Sequence, residues 1–319
     1  MFGSRSLWAR SGAEARFDTL NSLTYSTMAN RLRVMITFTK PEQIRERPMT
    51  DSNQIHPFDQ AVQLVVKSSD TYQGYIPQTY GNMIGPFGGI IVAVILNGIL
   101  RHKEHQGNPV SITVNFAGPI ADAPFDLSVR LIRTNRSNQH WSAELTQDSK
   151  ACVTATAILA LRQDTWKMTE AHVPVAPNPE EVESWTAPPA PNWIKRYDFK
   201  FIRGELTLSG EEANNSETLL WVRDIPERPL DFLSLTALSD VFFPRVFIRR
   251  HKLGVAGTVT ITTYFHADVS AIAQQGSRPI LALAQGQRFY RGYFDQIATL
   301  WSDQGELLAS STQMVYFRE

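Results

Sequence analysis

The sequence predicts an α+β protein made of two similar halves, each with one helix packed on a curved antiparallel sheet. The first half has an apolar helix pattern at residues 88–96, a strand pattern at 110–116 and a hairpin pattern ending near 162. The same order recurs at residues 233–240, 258–265 and 310–318. A helix followed by consecutive β-rich runs is typical of the α+β class, with the helix on one sheet face.

Only one of the two copies carries polar residues where chemistry requires them. When the strand and hairpin patterns are aligned, Pro109 falls opposite Thr258 and Ala157 falls opposite Gln313. A duplicated scaffold with polar side chains in one half therefore indicates an enzyme with one active site per chain.

The first half is expected to open with a strand at residues 61–66 and an extended or turn segment at 74–80. The cluster Gly85-Pro86-Phe87-Gly88-Gly89 then introduces the long helix, whose first turn tolerates proline. This helix is apolar almost all round, so it should be enclosed by the sheet. Four strands are predicted after it, at 110–116, 125–134, 139–147 and 152–162. A curved sheet wrapped around a central helix is the hotdog arrangement.

The second half is separated from the first by a linker. Residues 173–192 contain six prolines, a composition that favours an extended, semi-rigid spacer. Trp185 and Trp193 are expected to fasten this linker to a domain surface. After it we expect strands at 219–224, 258–266, 279–286, 291–302 and 306–317, with a helix at 230–243.

These patterns divide the chain into four parts. An irregular N-terminal extension at 1–48 precedes an N-terminal hotdog domain at 49–172. The Pro-rich linker then takes residues 173–196, and a C-terminal hotdog domain with the polar site residues takes 197–319. A chain of 319 residues is long enough for about two domains.

Composition excludes several functional classes. The 31 basic residues balance the 31 acidic ones, so no electrostatic pattern points to nucleic acid or a membrane surface. The histidines lack metal-ligand spacing, so no metal is predicted, and nothing in the sequence calls for a cofactor. The single cysteine, Cys152, favours a reducing compartment, cytoplasmic or organellar. Arginines and serines near the start are typical of a transit peptide, although Glu14 and Asp18 argue against one.

Several short segments resemble one family. Residues 80–89 read Tyr-Gly-Asn-Met-Ile-Gly-Pro-Phe-Gly-Gly, and residues 239–240, 258–266 and 311–313 form three further blocks. Together they are similar to the helix entry and the active-site blocks of the acyl-CoA thioesterase II family, the double-hotdog thioesterases. The resemblance covers the chain from about residue 56 to its end. It implies an acyl-CoA substrate and a homo-oligomer, either a dimer or a tetramer.

The resemblance also implies a site. In that family an Asp on the second-half helix, a Thr early in the next strand and a Gln near the C-terminus hold a water molecule. Matched residue by residue, these are Asp240, Thr258 and Gln313. Thioester hydrolysis needs an activated water and a polarised carbonyl. A carboxylate desolvated among apolar neighbours has a raised pKa and can act as the base.

The remaining substrate contacts are expected around the first helix and after the second. Backbone N–H groups near Gly88 and Gly89 are candidates for holding the oxyanion. Phe87, Phe242 and Phe243 are candidates for lining a tunnel for the acyl chain.

Plainer interpretations stay open at this point. Asp240 can instead pair with one of three arginines near a helix end, which are Arg245, Arg249 and Arg250. Thr258 taken alone is an ordinary strand residue, and Gln313 can face solvent. Two other functions also remain: a non-catalytic acyl-CoA or acyl-carrier binding protein, and a hotdog hydratase or dehydratase acting on an enoyl thioester. The latter needs an Asp/His pair, and the sequence offers no convincing one.

Overall fold

The computed structural model describes residues 55–187 and 190–318. The predicted extension at 1–48 and the first residues of the predicted N-terminal domain lie outside these ranges. The four-part division of the chain therefore stays a prediction.

The first half contains two helices and six strands in the described residues. They are α1 (Pro57–Ala61), β1 (Leu64–Val66), β2 (Thr71–Gly74), α2 (Gly88–Leu100), β3 (Asn108–Phe116), β4 (Phe125–Thr134), β5 (Asn138–Gln147) and β6 (Lys150–Ala160). The strand predicted at 61–66 was wrong at its start. Pro57 suits a first helical turn and the His56 side chain caps that turn, so α1 forms first and β1 is short.

The second half contains three α-helices and seven strands among the residues that the structure describes. They are β7 (Tyr197–Arg203), β8 (Thr218–Asp224), α3 (Phe232–Leu238), α4 (Arg245–Arg250), β9 (Val255–Phe265), α5 (Val269–Gln275), β10 (Ile280–Gln285), β11 (Phe289–Tyr290), β12 (Tyr293–Trp301) and β13 (Leu307–Arg318). The single helix predicted at 230–243 was wrong. Asp231 caps the start of α3, which ends before Ser239. Pro244 disfavours helix in the residue before it and starts α4 instead.

The strands of both halves join into one continuous antiparallel sheet. Its order is β1-β2-β4-β5-β6-β3-β9-β13-β12-β10-β8-β7, and β11 pairs with β12. The halves meet where β3 pairs with β9, and Thr113 lies opposite Thr262 there, with their hydroxyl oxygens 2.9 Å apart. The predicted α+β class is confirmed, and the two predicted sheets are continuous with each other.

The duplication extends to the details of the backbone. Val110 in β3 and Val259 in β9 are each an extra residue where the pairing register shifts, which makes a β-bulge at the same place in both halves. Bulges bend a strand and redirect the side chains beside them. The bulge in β9 lies directly after Thr258.

The core surrounds the helices. Ten of the 13 residues of α2 are buried, so this helix is enclosed as its all-round apolar character predicts. No helix among residues 55–187 and 190–318 is long and apolar enough to cross a membrane. The linker is fastened as expected, because the Trp193 ring stacks on Phe87 with 4.3 Å between centroids.

Candidate active site

The structure brings Asp240, Thr258 and Gln313 together in one chain of hydrogen bonds. Gln313 Nε2 donates to Asp240 Oδ1 at 2.7 Å, and the Thr258 hydroxyl donates to Gln313 Oε1 at 3.2 Å. Gln313 is 6% exposed, so its amide is held inside the protein. These directions leave the lone pairs of the Thr258 oxygen and the second carboxylate oxygen of Asp240 to bind another molecule.

Asp240 lies just after α3 rather than on it, because the helix ends before Ser239. Polar side chains fix that end to the sheet. The Ser239 hydroxyl lies 2.9 Å from the Thr263 hydroxyl in β9, and the Ser311 hydroxyl in β13 donates to the Ser239 carbonyl at 3.1 Å. The position of Asp240 is thus set by the same two strands that carry Thr258 and Gln313.

The start of α2 faces the carboxyl group of Asp240 from the first half. The Gly89 N–H donates to Asp240, and a helix N-terminus favours negative charge. A Cβ atom on Gly88 would lie 2.6 Å from Asp240 Oδ2, so only glycine permits this approach. The carboxyl group of the second half therefore rests on the helix of the first half.

Burial raises the pKa of Asp240 to about 7, and the hydrogen bonds from Gln313 and Gly89 act in the opposite direction. Protein atoms crowd around the carboxyl group, although the residue as a whole keeps partial exposure to solvent. A carboxyl group that is about half ionised near neutral pH is suited to accept a proton from water.

Family models match both halves of the chain. A model described as the acyl-CoA thioesterase N-terminal domain matches residues 76–160, and one described as the acyl-CoA thioesterase C-terminal domain matches residues 171–317. Together they cover more than half of the chain. It belongs to the acyl-CoA thioesterase II family.

Solved structures agree on the fold of this thioesterase-family chain. A conserved protein of unknown function with a hot dog fold, from Alicyclobacillus acidocaldarius, is 41% identical, with a TM-score of 0.80 over 83% of this chain and 99% of that one. The acyl-CoA thioesterase II TesB2 from Mycobacterium marinum is 16% identical, with a TM-score of 0.64 over 82% and 98%. The tesB protein from Mycobacterium avium subspecies paratuberculosis is 18% identical, with a TM-score of 0.66 over 82% and 98%. The double-hotdog prediction is confirmed. Comparison with curated proteins finds no match.

The arginines near α4 bind groups other than Asp240. Arg245 is fully buried and donates to the carbonyl oxygens of Phe243 and Ser216, and burial lowers its pKa to about 9. Arg249 and Arg250 both lie within 4 Å of Glu212. These arginines stabilise the segment after Asp240. The Asp240 carboxyl group itself bonds to Gln313 and Gly89.

The three phenylalanines proposed to line the acyl tunnel are all buried, but they do not lie together. Phe87 and Phe243 approach the same linker residue, Trp193, with centroid distances of 4.3 and 6.3 Å. Phe242 instead packs against the Arg245 guanidinium at 5.6 Å. Aromatic rings therefore fill the space beside the α2 start.

Two surface clefts in the described residues lie away from these side chains. One, of about 50 Å³, is lined by residues such as Phe247, Lys252 and Phe317. The other, of about 500 Å³, is lined by residues such as Lys200, Arg223 and Asp303. Neither is lined by Asp240, Thr258 or Gln313.

Sequence patterns alone missed two buried polar residues of the second half. Asp224 is 3% exposed and accepts a hydrogen bond from the Ser234 hydroxyl, and burial raises its pKa to about 7. Gln296 in β12 is also 3% exposed and lies directly opposite Gln313. Each interrupts an apolar strand pattern, which is the sequence signal that would have identified it.

Proposed function

We propose that this protein hydrolyses an acyl-CoA thioester to a free acid and coenzyme A by direct attack of water. The observation that carries the proposal is the Asp240 carboxyl group, buried enough to have a pKa of about 7 and oriented by Gln313 and the Gly89 N–H. This environment suits a general base, and the chain belongs to a thioesterase family.

Gln313 fixes which groups of the site donate hydrogen bonds and which accept them. Because its amide N–H donates to Asp240, that carboxyl oxygen acts as an acceptor. Because its carbonyl accepts the Thr258 hydroxyl, the lone pairs of Thr258 point elsewhere. A water molecule beside them donates one proton to the Thr258 oxygen and the other to Asp240, which leaves its own lone pair for the thioester carbon.

The reaction then follows from this arrangement. The water oxygen bonds to the carbonyl carbon while its proton passes to Asp240. The C–S bond breaks and its electron pair leaves with sulfur as the coenzyme A thiolate. A thiolate is a good leaving group, so it needs no strong general acid. The proton on Asp240 is released before the next cycle.

Substrate contacts are assigned to the α2 start and the aromatic residues around it. Gly88 gives Asp240 room, and the acyl group lies beside Phe87, Gly89, Phe242 and Phe243. The buried Cys152 and the lack of any disulfide partner fit an intracellular, reducing location.

The chain is also proposed to act as a homo-oligomer, a dimer or a tetramer. Residues 161–175 include apolar side chains that are unusually exposed, with Trp166 at 85% and Val175 at 94%. Apolar surface of this kind commonly marks a protein interface. Light scattering on the wild type and on Trp166→Ser tests this, since a monomeric wild type contradicts it.

The test of function measures thiol release from short-, medium- and long-chain acyl-CoAs. Asp240→Asn keeps the shape of the side chain and removes the base, so we expect kcat to fall by roughly 100- to 10,000-fold. Asp148→Asn is the matched control because Asp148 is exposed in the turn between β5 and β6.

Each outcome decides between functions. Loss of turnover in Asp240→Asn alone, with a thermal midpoint that does not fall, supports water activation. Equal turnover in both variants removes Asp240 as the base. Saturable acyl-CoA binding without thiol release favours a binding protein, and conversion of an enoyl-CoA without thiol release favours a hydratase.

A further inference from the structure

Gln296 is the cross-strand neighbour of Gln313, the residue that bonds to Asp240. In the sheet it is directly opposite Gln313, which is itself opposite Ile261. Side chains directly opposite each other on neighbouring strands share a face, and their Cβ atoms are roughly 5 Å apart. The row Ile261, Gln313, Gln296 therefore runs along the buried face, and Gln313 in its centre bonds to Asp240.

The amide of Gln296 has an unused donor. The residue is 3% exposed, yet Nε2 has no hydrogen-bond partner. Burying an unpaired amide is costly, and most buried polar groups in proteins are paired. Gln275 shows the ordinary case, since its Nε2 donates to the carbonyls of Arg278 and Pro279 and its Oε1 accepts from Asp303.

The first half has no such amide at this position. The equivalent row there is Ile112, Ala157, Trp141, in the same register. The Trp141 N–H is satisfied by Gln139 Oε1 at 3.2 Å. The half that carries Asp240 thus has an unpaired buried donor, Gln296 Nε2. The other half has at the same position a tryptophan, Trp141, whose N–H is hydrogen-bonded.

Hydrolysis also needs a donor for the thioester carbonyl. Of the two backbone N–H groups expected to serve at the α2 start, that of Gly89 already donates to Asp240. The Thr258 hydroxyl and one N–H of Gln313 are engaged as well. As water attacks, negative charge develops on the carbonyl oxygen, and a preorganised donor beside it lowers the barrier.

We propose that Gln296 Nε2 is that donor: it binds the carbonyl oxygen of the acyl-CoA thioester and stabilises the oxyanion as the water oxygen bonds to carbon. When the C–S bond breaks, the oxyanion returns to a carbonyl and Gln296 is released unchanged. This assignment rests on the proposed thioesterase function. It makes Gln296 a catalytic residue, whereas Ser239 and Ser311 are positioning residues.

The test is Gln296→Met, which keeps the length and volume of the side chain and removes the donor. We expect kcat for thiol release to fall roughly 100- to 1,000-fold, the effect of losing one oxyanion donor, with KM changed less than about threefold. The thermal midpoint should stay level or rise, because an unpaired buried amide is removed. Gln296→Leu is the second variant, since it also lacks a donor and should lose a similar amount of activity.

Gln275→Met is the matched control. Gln275 ends helix α5, and its amide is fully paired with groups outside the Asp240 site, so this variant should lower the thermal midpoint and leave kcat unchanged. The proposal is overturned when Gln296→Met keeps kcat within threefold, or when its thermal midpoint falls like that of Gln275→Met. A wild type without thiol release on any acyl-CoA overturns the thioesterase function itself. If the wild type and Gln296→Met both release thiol at similar rates, only the assignment of Gln296 as the oxyanion donor is overturned.

Discussion

The tight contact between Gly88 and Asp240 makes Gly88→Ala the most direct perturbation of the site from outside it. An added Cβ would lie 2.6 Å from Asp240 Oδ2, so the carboxyl group must move by about 0.8 Å to reach an ordinary contact of 3.4 Å. Such a movement weakens the bonds from Gln313 and Gly89 that orient the base. A displacement of about 1 Å can cost roughly 100-fold in rate, so we expect kcat to fall by about 30- to 100-fold.

The same change should hardly affect stability. Alanine favours a helix over glycine by roughly 0.5–1 kcal/mol, and this gain offsets part of the strain at the carboxyl group. We therefore expect the thermal midpoint to move by no more than about 4 °C. Gly118→Ala is the control, because nothing lies within 4 Å of a Cβ there. Steady-state kinetics and a melting curve on both variants complete the assay. If Gly88→Ala retains at least half of the wild-type kcat, the inference that this contact positions the base is refuted.

Three further results are expected. The kcat/KM for thiol release should rise with pH through about 7, because Asp240 must be ionised to accept a proton; a profile that is flat from pH 5.5 to 8.5 contradicts this. The free energy of unfolding should fall as pH rises from about 4 to 7, because the folded state holds protons on Asp224 and Asp240 more tightly than the unfolded state does. Above pH 7 both carboxyl groups are ionised in both states, and this loss of stability is complete. Asp240→Asn should consequently raise the thermal midpoint at pH 8, and an unchanged midpoint would show that the ionised carboxyl group is not destabilising. Gln313→Glu places a second carboxyl group against Asp240 and raises its pKa further, so the pH–rate profile should move to higher pH, and an unmoved profile would count against the contact.

The sequence predicts the features that depend on local periodicity. The enclosed helix α2, the β3 strand and the strand pattern of the second half follow from runs of apolar and β-branched residues. The trio of Asp240, Thr258 and Gln313 was identified by resemblance to the thioesterase II family, and each of the three stands in or beside such a run.

Contacts that depend on pairing register were not predictable in this way. Gln296 meets Gln313 because β12 and β13 pair in one register, and a shift of one residue would turn its side chain to the opposite face. The place of Asp240 beyond the end of α3 depends on Ser239 and on Pro244, which ends one helix pattern and starts another. Long-range geometry of this kind is set by packing and not by propensity.

The comparison of the two halves gives a physical reason to expect one site per chain. The backbone is repeated down to the bulges at Val110 and Val259, so the frame does not distinguish the halves. The side chains distinguish the halves, because the position of Gln313 in the second half is taken by Ala157 in the first. A buried polar group is tolerated where it is paired or has a ligand to bind, and it is destabilising elsewhere. Repeating the polar set in the first half would add that penalty a second time.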